Sequence, residues 1–141
     1  MRVYFDSSAF AKRYIDETGT ADVLAWCERA SELALSVIVV PELISAFCRL
    51  QREDRLTGAQ YQIIKSALML DIANALICDI TPQVIQHAVK ALEKHRLRGM
   101  DAIHLGAALA CTAEVFISAD ARQCRAAEVF GLQVVSVAAC I

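Results

Sequence analysis

Short apolar runs rich in β-branched and aromatic residues alternate along this chain with longer segments whose apolar residues recur every three or four positions. The first pattern predicts buried strands and the second predicts helices. Strands that alternate with helices build a parallel sheet, because each helix carries the chain back across the sheet before the next strand begins. The sequence therefore predicts an α/β fold, a three-layer sandwich in which a central parallel sheet of about five strands has helices on both faces.

Local patterns place these elements along the chain. The predicted strands cover residues 3–5, 33–40, 76–80, 115–118 and 134–137, and the predicted helices cover 9–15, 20–30, 41–50, 57–73, 82–96, 101–110 and 121–130. Thr57 and Gln60 match a capping box, and Pro41 fits the first position of its helix. Gly99 predicts a helix end, and Gly131 closes the last helix. Every strand but the last is thus followed by a helix.

The composition favours one domain with a substantial core. Of the 141 residues 57% are hydrophobic, and no linker-like stretch or repeat divides the chain, so residues 1–141 are predicted to form a single domain. No apolar run approaches the ~18 residues of a membrane span, and Asp6 lies where a signal peptide would be apolar, which predicts a cytoplasmic protein without a membrane segment. The six cysteines occur singly, which predicts buried, reduced thiols rather than a zinc site.

Four acidic residues occur where a parallel sheet would bring them to one edge. Asp6 and Asp120 directly follow predicted strands, and Glu42 and Asp101 open predicted helices. Ligands of such sheets bind beyond the carboxyl ends of the strands. Four converging like charges would raise one another's pKa values unless a cation offset them, and carboxylates suit a hard divalent cation. A formal net charge of -2 therefore does not argue against a phosphate-binding site.

The acids lie in four motifs: Phe5-Asp6-Ser7-Ser8-Ala9, Pro41-Glu42-Leu43, Met100-Asp101-Ala102-Ile103-His104-Leu105 and Ile117-Ser118-Ala119-Asp120. With these motifs the sequence resembles, over nearly its whole length, the PIN-domain nucleases, in particular the toxin subunits of VapBC-type toxin–antitoxin pairs. Each motif alone is common, whereas four in this order and on the expected elements are fairly specific. The chain departs from the family pattern at Ala121-Arg122, where members often carry another acidic or polar residue.

The resemblance implies a PIN-like fold and a metal-dependent endoribonuclease, the toxin of a type II toxin–antitoxin pair. It implies that Asp6, Glu42, Asp101 and Asp120 are the catalytic residues and the ligands of Mg²⁺ or Mn²⁺. It also implies that metal-activated water cleaves the RNA substrate to leave a 5′ phosphate, and that a cognate antitoxin protein occupies the acidic groove.

Further residues are candidates for supporting roles. Lys12, Arg13 and Arg98 are predicted to contact RNA phosphates, and Ser118 either offers a hydroxyl to a ligand or only ends a strand. His104 is predicted to be a hydrogen-bonded, partly buried residue that positions a neighbouring segment. The high hydrophobic content and the predicted helix at 57–73, which is apolar on more than one face, predict a homodimer.

Two other functions remain open from the sequence. A catalytically silent PIN-like module would bind RNA or a protein partner with the same fold, although intact acids at all four positions favour the enzyme. A phosphoryl-transfer domain of flavodoxin-like topology, such as a receiver or an aspartyl phosphatase, is disfavoured. Ser8 rather than an acid lies two residues after Asp6, and no well-placed lysine ends a late strand.

Overall fold

The computed structural model of the protein describes residues 1–138. Its strands are β1 (Arg2–Phe5), β2 (Glu32–Ser36), β3 (Leu76–Cys78), β4 (Val115–Ser118) and β5 (Gln133–Ser136). Its helices are α1 (Ser7–Phe10), α2 (Thr20–Arg29), α3 (Val39–Arg52), α4 (Gly58–Asn74), α5 (Pro82–Lys94), α6 (Gly99–Ala110) and α7 (Ala121–Val129), and a 3-10 turn at Ala11–Arg13 extends α1.

The strands form one sheet in the order β3-β2-β1-β4-β5, and every neighbouring pair is parallel. The predicted α/β fold with five parallel strands is confirmed. β1 occupies the centre of the sheet, although it is the first element of the chain. A flavodoxin-like sheet would have the order β2-β1-β3-β4-β5. The observed order therefore contradicts the phosphoryl-transfer alternative.

Side chains of the central strand enter two different cores. Val3 and Phe5 pack with Phe10 on one face of the sheet, and Tyr4 packs with Leu105 on the other. All five side chains are fully buried. Successive side chains of a strand point to opposite faces, so a strand covered by helices on both sides contains no polar alternation. This explains the uninterrupted apolar run of β1.

The boundary between β2 and α3 differs from the prediction of a strand over residues 33–40. β2 ends at Ser36, whose Oγ accepts a hydrogen bond of 3.2 Å from the amide of Ile38, and α3 begins at Val39. Pro41 is therefore the third residue of the helix and not the first. It is tolerated there because the first four amides of a helix have no acceptor within the helix. The β-branched residues 37–40 occupy a turn and the first helical positions.

The packing of α5 against α6 depends on a glycine. A Cβ added at Gly106 would lie 2.5 Å from the carbonyl oxygen of Val84, which is backbone and cannot yield as a side chain could. Gly99 begins α6 and does not end the preceding helix as predicted; α5 ends at Lys94. The capping box of Thr57 and Gln60 at the start of α4 is confirmed.

Two expectations from composition can be compared with residues 1–138. None of the helices there has the length and apolar character that crossing a bilayer requires. The five cysteines of this part of the chain are free, but only Cys124 is buried, and Cys27, Cys48, Cys78 and Cys111 are partly exposed. The prediction of burial is wrong for these four, and Cys140 lies outside the described residues.

Candidate active site

Asp6 follows β1 directly and joins the sheet to α1. Its amide donates to the carbonyl oxygen of Ile117 at 3.0 Å, which continues the pairing of β1 with β4. Its Oδ1 accepts from the amide of Ala9 at 2.9 Å and so caps α1, and the hydroxyl of Ser8 donates to both carboxylate oxygens at 2.8 and 2.9 Å. Asp6 is therefore the N-cap of α1.

The carboxylate of Asp6 lies almost entirely out of water, with 2% of the residue exposed. Burial raises its pKa above the ordinary value, although the electrostatic effect of His104 and the hydrogen bonds from Ser118, Ala9 and Ser8 act in the opposite direction. A buried carboxylate is costly when ionised and uncompensated. Asp6 is therefore a group that gains from binding a proton or a cation.

Ser118 connects Asp6 with Asp120 across the ends of β1 and β4. Its hydroxyl donates to Oδ2 of Asp6 at 2.7 Å and accepts from the amide of Asp120 at 3.0 Å. Asp120 in turn caps α7, since its Oδ1 accepts from the amides of Arg122 and Gln123 at 2.9 and 3.3 Å. Two predicted site residues thus belong to one hydrogen-bonded unit.

Glu42 is held in place by side chains from two other elements. Its Oε1 accepts from the hydroxyl of Ser7 at 2.7 Å and lies 2.7 Å from Nε2 of His104. The other ring nitrogen of His104, Nδ1, lies 2.7 Å from the hydroxyl of buried Tyr4. His104 is therefore a buried, hydrogen-bonded positioning residue, as predicted.

The pKa of Glu42 contradicts the expectation of mutual repulsion among the acids. Burial raises this pKa, but the hydrogen bonds from His104 and Ser7 together with the electrostatic effect of His104 outweigh it, and the net pKa lies below the ordinary value. The hydrogen-bond donors around Glu42 thus outweigh the effect of its burial. Its carboxylate stays ionised at neutral pH.

Asp101 lies at the start of α6, where its Oδ2 accepts from the amide of Arg98 at 3.3 Å. The buried amide side chain of Gln123 donates to the backbone carbonyl of Asp101 at 2.9 Å. Its Oε1 also accepts a long hydrogen bond, 3.4 Å, from Ser118. Gln123 therefore ties the first turn of α6 to the unit formed by Asp6, Ser118 and Asp120.

A groove of about 590 Å³ opens beside these residues. Glu42 and Asp120 both line it, together with Ser7 and Ser8. Its remaining lining includes apolar residues, mostly from α3, and three cations: Leu43, Ala46, Phe47, Leu50, Ala11, Ile15, Lys12, Arg49 and Arg55. The groove combines carboxylates, an apolar wall and guanidinium groups, which is an arrangement suited to a polymer with a charged backbone.

Comparison with known proteins identifies the family of this chain. Residues 3–129 match the family described as PIN domain. The chain belongs to the PIN domain family. Ribonuclease VapC45 and Ribonuclease VapC49, from two strains of Mycobacterium tuberculosis, are each 33% identical to this PIN domain over 108 residues, which is 77% of this chain and 75% of theirs.

Solved structures share the fold of this PIN domain at lower sequence identity. FitAcB from Neisseria gonorrhoeae has a TM-score of 0.70 at 16% identity and covers 95% of this chain and 96% of its own. VapBC2 from Rickettsia felis, solved bound to a promoter DNA fragment, has a TM-score of 0.67 at 14% identity and covers 97% and 99%. VapC20 of Mycobacterium tuberculosis, described as a sarcin-ricin loop cleaving toxin, has 0.66 at 14% and covers 95% and 98%.

The four acids of this PIN domain are chemically suited to bind a metal ion, but their side chains are not yet positioned around one. Carboxylate oxygens are the ligands that Mg²⁺ prefers. Across residues 1–138, however, no set of three or more His, Cys, Asp or Glu side chains is arranged to hold a metal ion. A cation would have to compete with the hydroxyls of Ser8 and Ser118 for Asp6, and Asp101 would have to turn from the Arg98 amide. The donor set fits, but several side chains must move.

The basic residues predicted to contact RNA have mostly structural partners. Lys12 is 1% exposed, and its Nζ pairs with Glu17 at 3.0 Å and donates to the carbonyl oxygen of Thr18 at 2.8 Å. Arg13 donates to both carboxylate oxygens of Asp71 at 2.8 and 3.2 Å, and this hydrogen bond raises the pKa of Arg13. Both cations are thus engaged within the protein, and their contacts with RNA stay a prediction.

Arg98 and Ser118, the other two candidates, differ in their exposure to solvent. Arg98 is exposed at the start of α6, next to the backbone contact that it makes with Asp101. Ser118 is fully buried and ends β4, as one of its two predicted roles requires, whereas a contact of its hydroxyl with a ligand stays a prediction. Its hydroxyl positions Asp6 and Asp120.

Several residues that build the site were not predicted from the sequence. Ser7 donates to Glu42, Gln123 donates to the carbonyl oxygen of Asp101, and Tyr4 contacts His104, and none of the three was singled out. Gln123 had a visible signature, because it lies three residues after the N-cap Asp120, a position from which a glutamine side chain can reach back past the start of its helix. Arg49 and Arg55 had none, since their access to the groove depends on how α3 packs.

Proposed function

We propose that this PIN domain protein is a metal-dependent endoribonuclease that acts in the cytoplasm as the toxin of a type II toxin–antitoxin pair. The observation that carries the proposal is the pair of Asp6 and Asp120, bridged by Ser118 beside the groove that Glu42 lines. The relatives support the activity, because two are named ribonucleases and several structural neighbours are toxin–antitoxin complexes.

In this proposal Asp6, Glu42, Asp101 and Asp120 bind Mg²⁺ or Mn²⁺, and an RNA phosphate lies against them. A bound divalent cation supplies an activated water and offsets negative charge on the phosphate. The residues of the chain orient the site. His104 and Ser7 fix one oxygen of Glu42, which leaves its Oε2 directed away from those two donors and available to a ligand.

We assign RNA phosphate contacts to Arg49 and Arg55, in addition to the exposed Arg98. Arg49 and Arg55 line the same groove as Glu42 and Asp120. Arg55 has only a surface ion pair with Glu53, at 3.6 Å between side chains that are 64% and 47% exposed. Such pairs contribute little and exchange readily for a phosphate. These cations would position RNA without reading its sequence.

The same groove suits a segment of an antitoxin. Its partly exposed apolar residues, Ala46 and Leu50 on α3 together with Ala11 and Ile15, would bury the hydrophobic face of an added peptide. We further propose a homodimer. α4 supports it, since Ile63 and Leu70 are 69% and 66% exposed on that helix. Light scattering that shows only monomer at roughly tens of micromolar would contradict the dimer, because a specific interface of ordinary size should be occupied there.

The decisive experiment measures cleavage of a fluorescent single-stranded RNA with Mg²⁺, with Mn²⁺ and with chelator. We expect Glu42→Gln and Asp120→Asn each to reduce cleavage at least about 100-fold, since each removes a charged ligand. Both substitutions keep hydrogen-bonding capacity, and asparagine remains a good helix cap. Glu128→Gln is the matched control, because Glu128 is an exposed carboxylate on α7 outside the groove.

The outcomes of these assays separate metal-dependent cleavage from the other possible functions. Cleavage that persists in chelator contradicts the dependence on metal. RNA binding by the wild type without cleavage in either metal supports the silent PIN-like module instead. A growth assay tests the toxin role: expression of the wild type should slow a bacterial host, and Asp101→Asn should relieve this at an equal level of soluble protein.

A further inference from the structure

Two cysteines far apart in sequence meet on the face of the sheet that α5 and α6 cover. Cys78 is the last residue of β3, and Cys111 directly follows α6. Both pack against the same apolar cluster, and both line the same surface cavity of about 370 Å³. Both are partly exposed, so a small oxidant in solvent can reach them.

Cys78 and Cys111 share this cavity with the guanidinium-bearing residue Arg2, and their surroundings make the two thiols unequal. The side-chain contact with Cys78 lowers the pKa of Cys111, partly opposed by burial, and the nearby guanidinium of Arg2 acts in the same direction as the contact. Arg2 donates to the backbone carbonyl oxygen of Cys111, which places its positive charge there. The same contact and burial raise the pKa of Cys78. The guanidinium of Arg2, held at Cys111 by its hydrogen bond, favours the thiolate of Cys111, so Cys111 is the better nucleophile and Cys78 is the thiol that attacks second.

We propose that Cys78 and Cys111 are an oxidant-sensitive dithiol that closes into an intramolecular disulfide. In the first step the thiolate of Cys111 attacks hydrogen peroxide, breaks its O–O bond, and becomes a sulfenic acid as hydroxide leaves. In the second step the sulfur of Cys78 attacks the sulfenic sulfur, the S–O bond breaks, and the proton of Cys78 leaves with the hydroxyl group as water. The two thiols are oxidised by two electrons, and one peroxide is reduced to two waters.

The other described cysteines lack this combination. Cys124 is buried, and Cys48 interacts with a tyrosine, Tyr61. Cys27 lies beside the Arg13–Asp71 ion pair. Closure of the disulfide would link the edge strand β3 to the end of α6 and restrict the unfolded chain, so oxidation should raise the melting temperature. The inference does not depend on the proposed nuclease function.

The test uses the whole protein, reduced and freed of reductant, then treated with a few equivalents of hydrogen peroxide. Remaining thiols are alkylated, and the chain is digested without reduction and mapped by mass spectrometry. We expect a peptide linked through Cys78 and Cys111 that has lost two hydrogens, with Cys27, Cys48 and Cys124 recovered alkylated. Dithiothreitol should reverse the link, and the melting temperature should rise on oxidation and fall again on reduction.

Variants establish the order of the steps. In Cys78→Ser, dimedone should label Cys111, whereas in Cys111→Ser the label at Cys78 should be several-fold weaker. Cys48→Ser is the matched control and should form the linked peptide at the rate of the wild type. Recovery of both Cys78 and Cys111 as alkylated thiols after oxidation of the wild type overturns the proposal, as does preferential linkage of other cysteines. This readout requires no variant, so a folding defect in one of them cannot obscure the result.

Discussion

Replacement of Ser118 by alanine tests the bridge between the two aspartates most directly. The change removes one buried oxygen atom and leaves only a small void. It deletes the hydrogen bond of 2.7 Å to the Asp6 carboxylate and the bond of 3.0 Å from the amide of Asp120. The carboxylate then loses one of the donors that compensate its burial.

The expected loss of stability follows from these contacts. A hydrogen bond to a charged acceptor contributes about 1.5–3 kcal/mol and a neutral one about 1 kcal/mol, and Asp120 lies only partly buried, so water can replace part of the second bond. We expect Ser118→Ala to lower the free energy of unfolding by about 3 kcal/mol at neutral pH. In a domain of this size that corresponds to a fall of about 10 °C in Tm.

The loss should also depend on pH. Burial raises the pKa of Asp6 above its unfolded value, and the bond from Ser118 opposes this rise, so its removal raises the pKa further. A group with a raised folded pKa favours folding below its unfolded pKa and loses that contribution as pH rises through the folded pKa. The deficit of Ser118→Ala should therefore be smallest in acid and grow as pH rises through the raised pKa of Asp6.

Thermal and urea unfolding of the purified protein in chelator, from acid to neutral pH, would measure both effects. Ser45→Ala is the control, because Ser45 is exposed on α3 and its replacement should change stability by no more than about 0.5 kcal/mol. Equal stabilities of the two variants, or a deficit at Ser118 that does not change with pH, would refute the assignment of Ser118 as the residue that stabilises ionised Asp6.

Three further substitutions extend these tests. Asp6→Asn removes a buried charge and should be at least as stable as the wild type in chelator near neutral pH while losing RNA cleavage; a melt well below the wild type would contradict this. Glu42→Gln should be less stable near neutral pH, with the deficit vanishing as pH falls through the lowered pKa of Glu42, which unfolding across pH would show. Gly106→Ala should lose about 1–3 kcal/mol in urea unfolding, because its Cβ would meet the Val84 carbonyl, whereas Gly99→Ala, with open space around it, should lose nothing.

Features that depend on neighbours in sequence could be predicted. β1 and β4 are short apolar runs without polar alternation, because both faces are covered, and the capping box of Thr57 and Gln60 is defined within three residues. The boundary after β2 failed because residues 37–40 are β-branched, a composition typical of strands. The first turn of α3 tolerates these side chains, since the packing of that helix, and not its intrinsic propensity, decides the conformation.

Features that depend on distant partners could not be predicted. The ion pair that engages Arg13 joins residues 58 positions apart, and the bond between Ser118 and Asp6 spans 112 positions. Lys12 looked free because nothing in the sequence shows that its ammonium group turns inward to the Thr18 carbonyl. The acids could be proposed because each ends or begins an element, whereas the donors that influence the pKa values of Asp6 and Glu42 include side chains from other parts of the fold.

The central position of β1 has a consequence for synthesis of the chain on the ribosome. β1 emerges first and can pair with β2 early, but its other neighbour, β4, follows more than a hundred residues later, as the separation of Asp6 from Ser118 shows. Until then one side of an apolar strand has no partner, which exposes the nascent protein to mispairing and to chaperones. The hydrogen-bonded unit of Asp6, Ser118 and Asp120 likewise cannot form until Ser118 and Asp120 have been synthesised. A ribosome therefore finishes most of this protein before a complete acidic site can form.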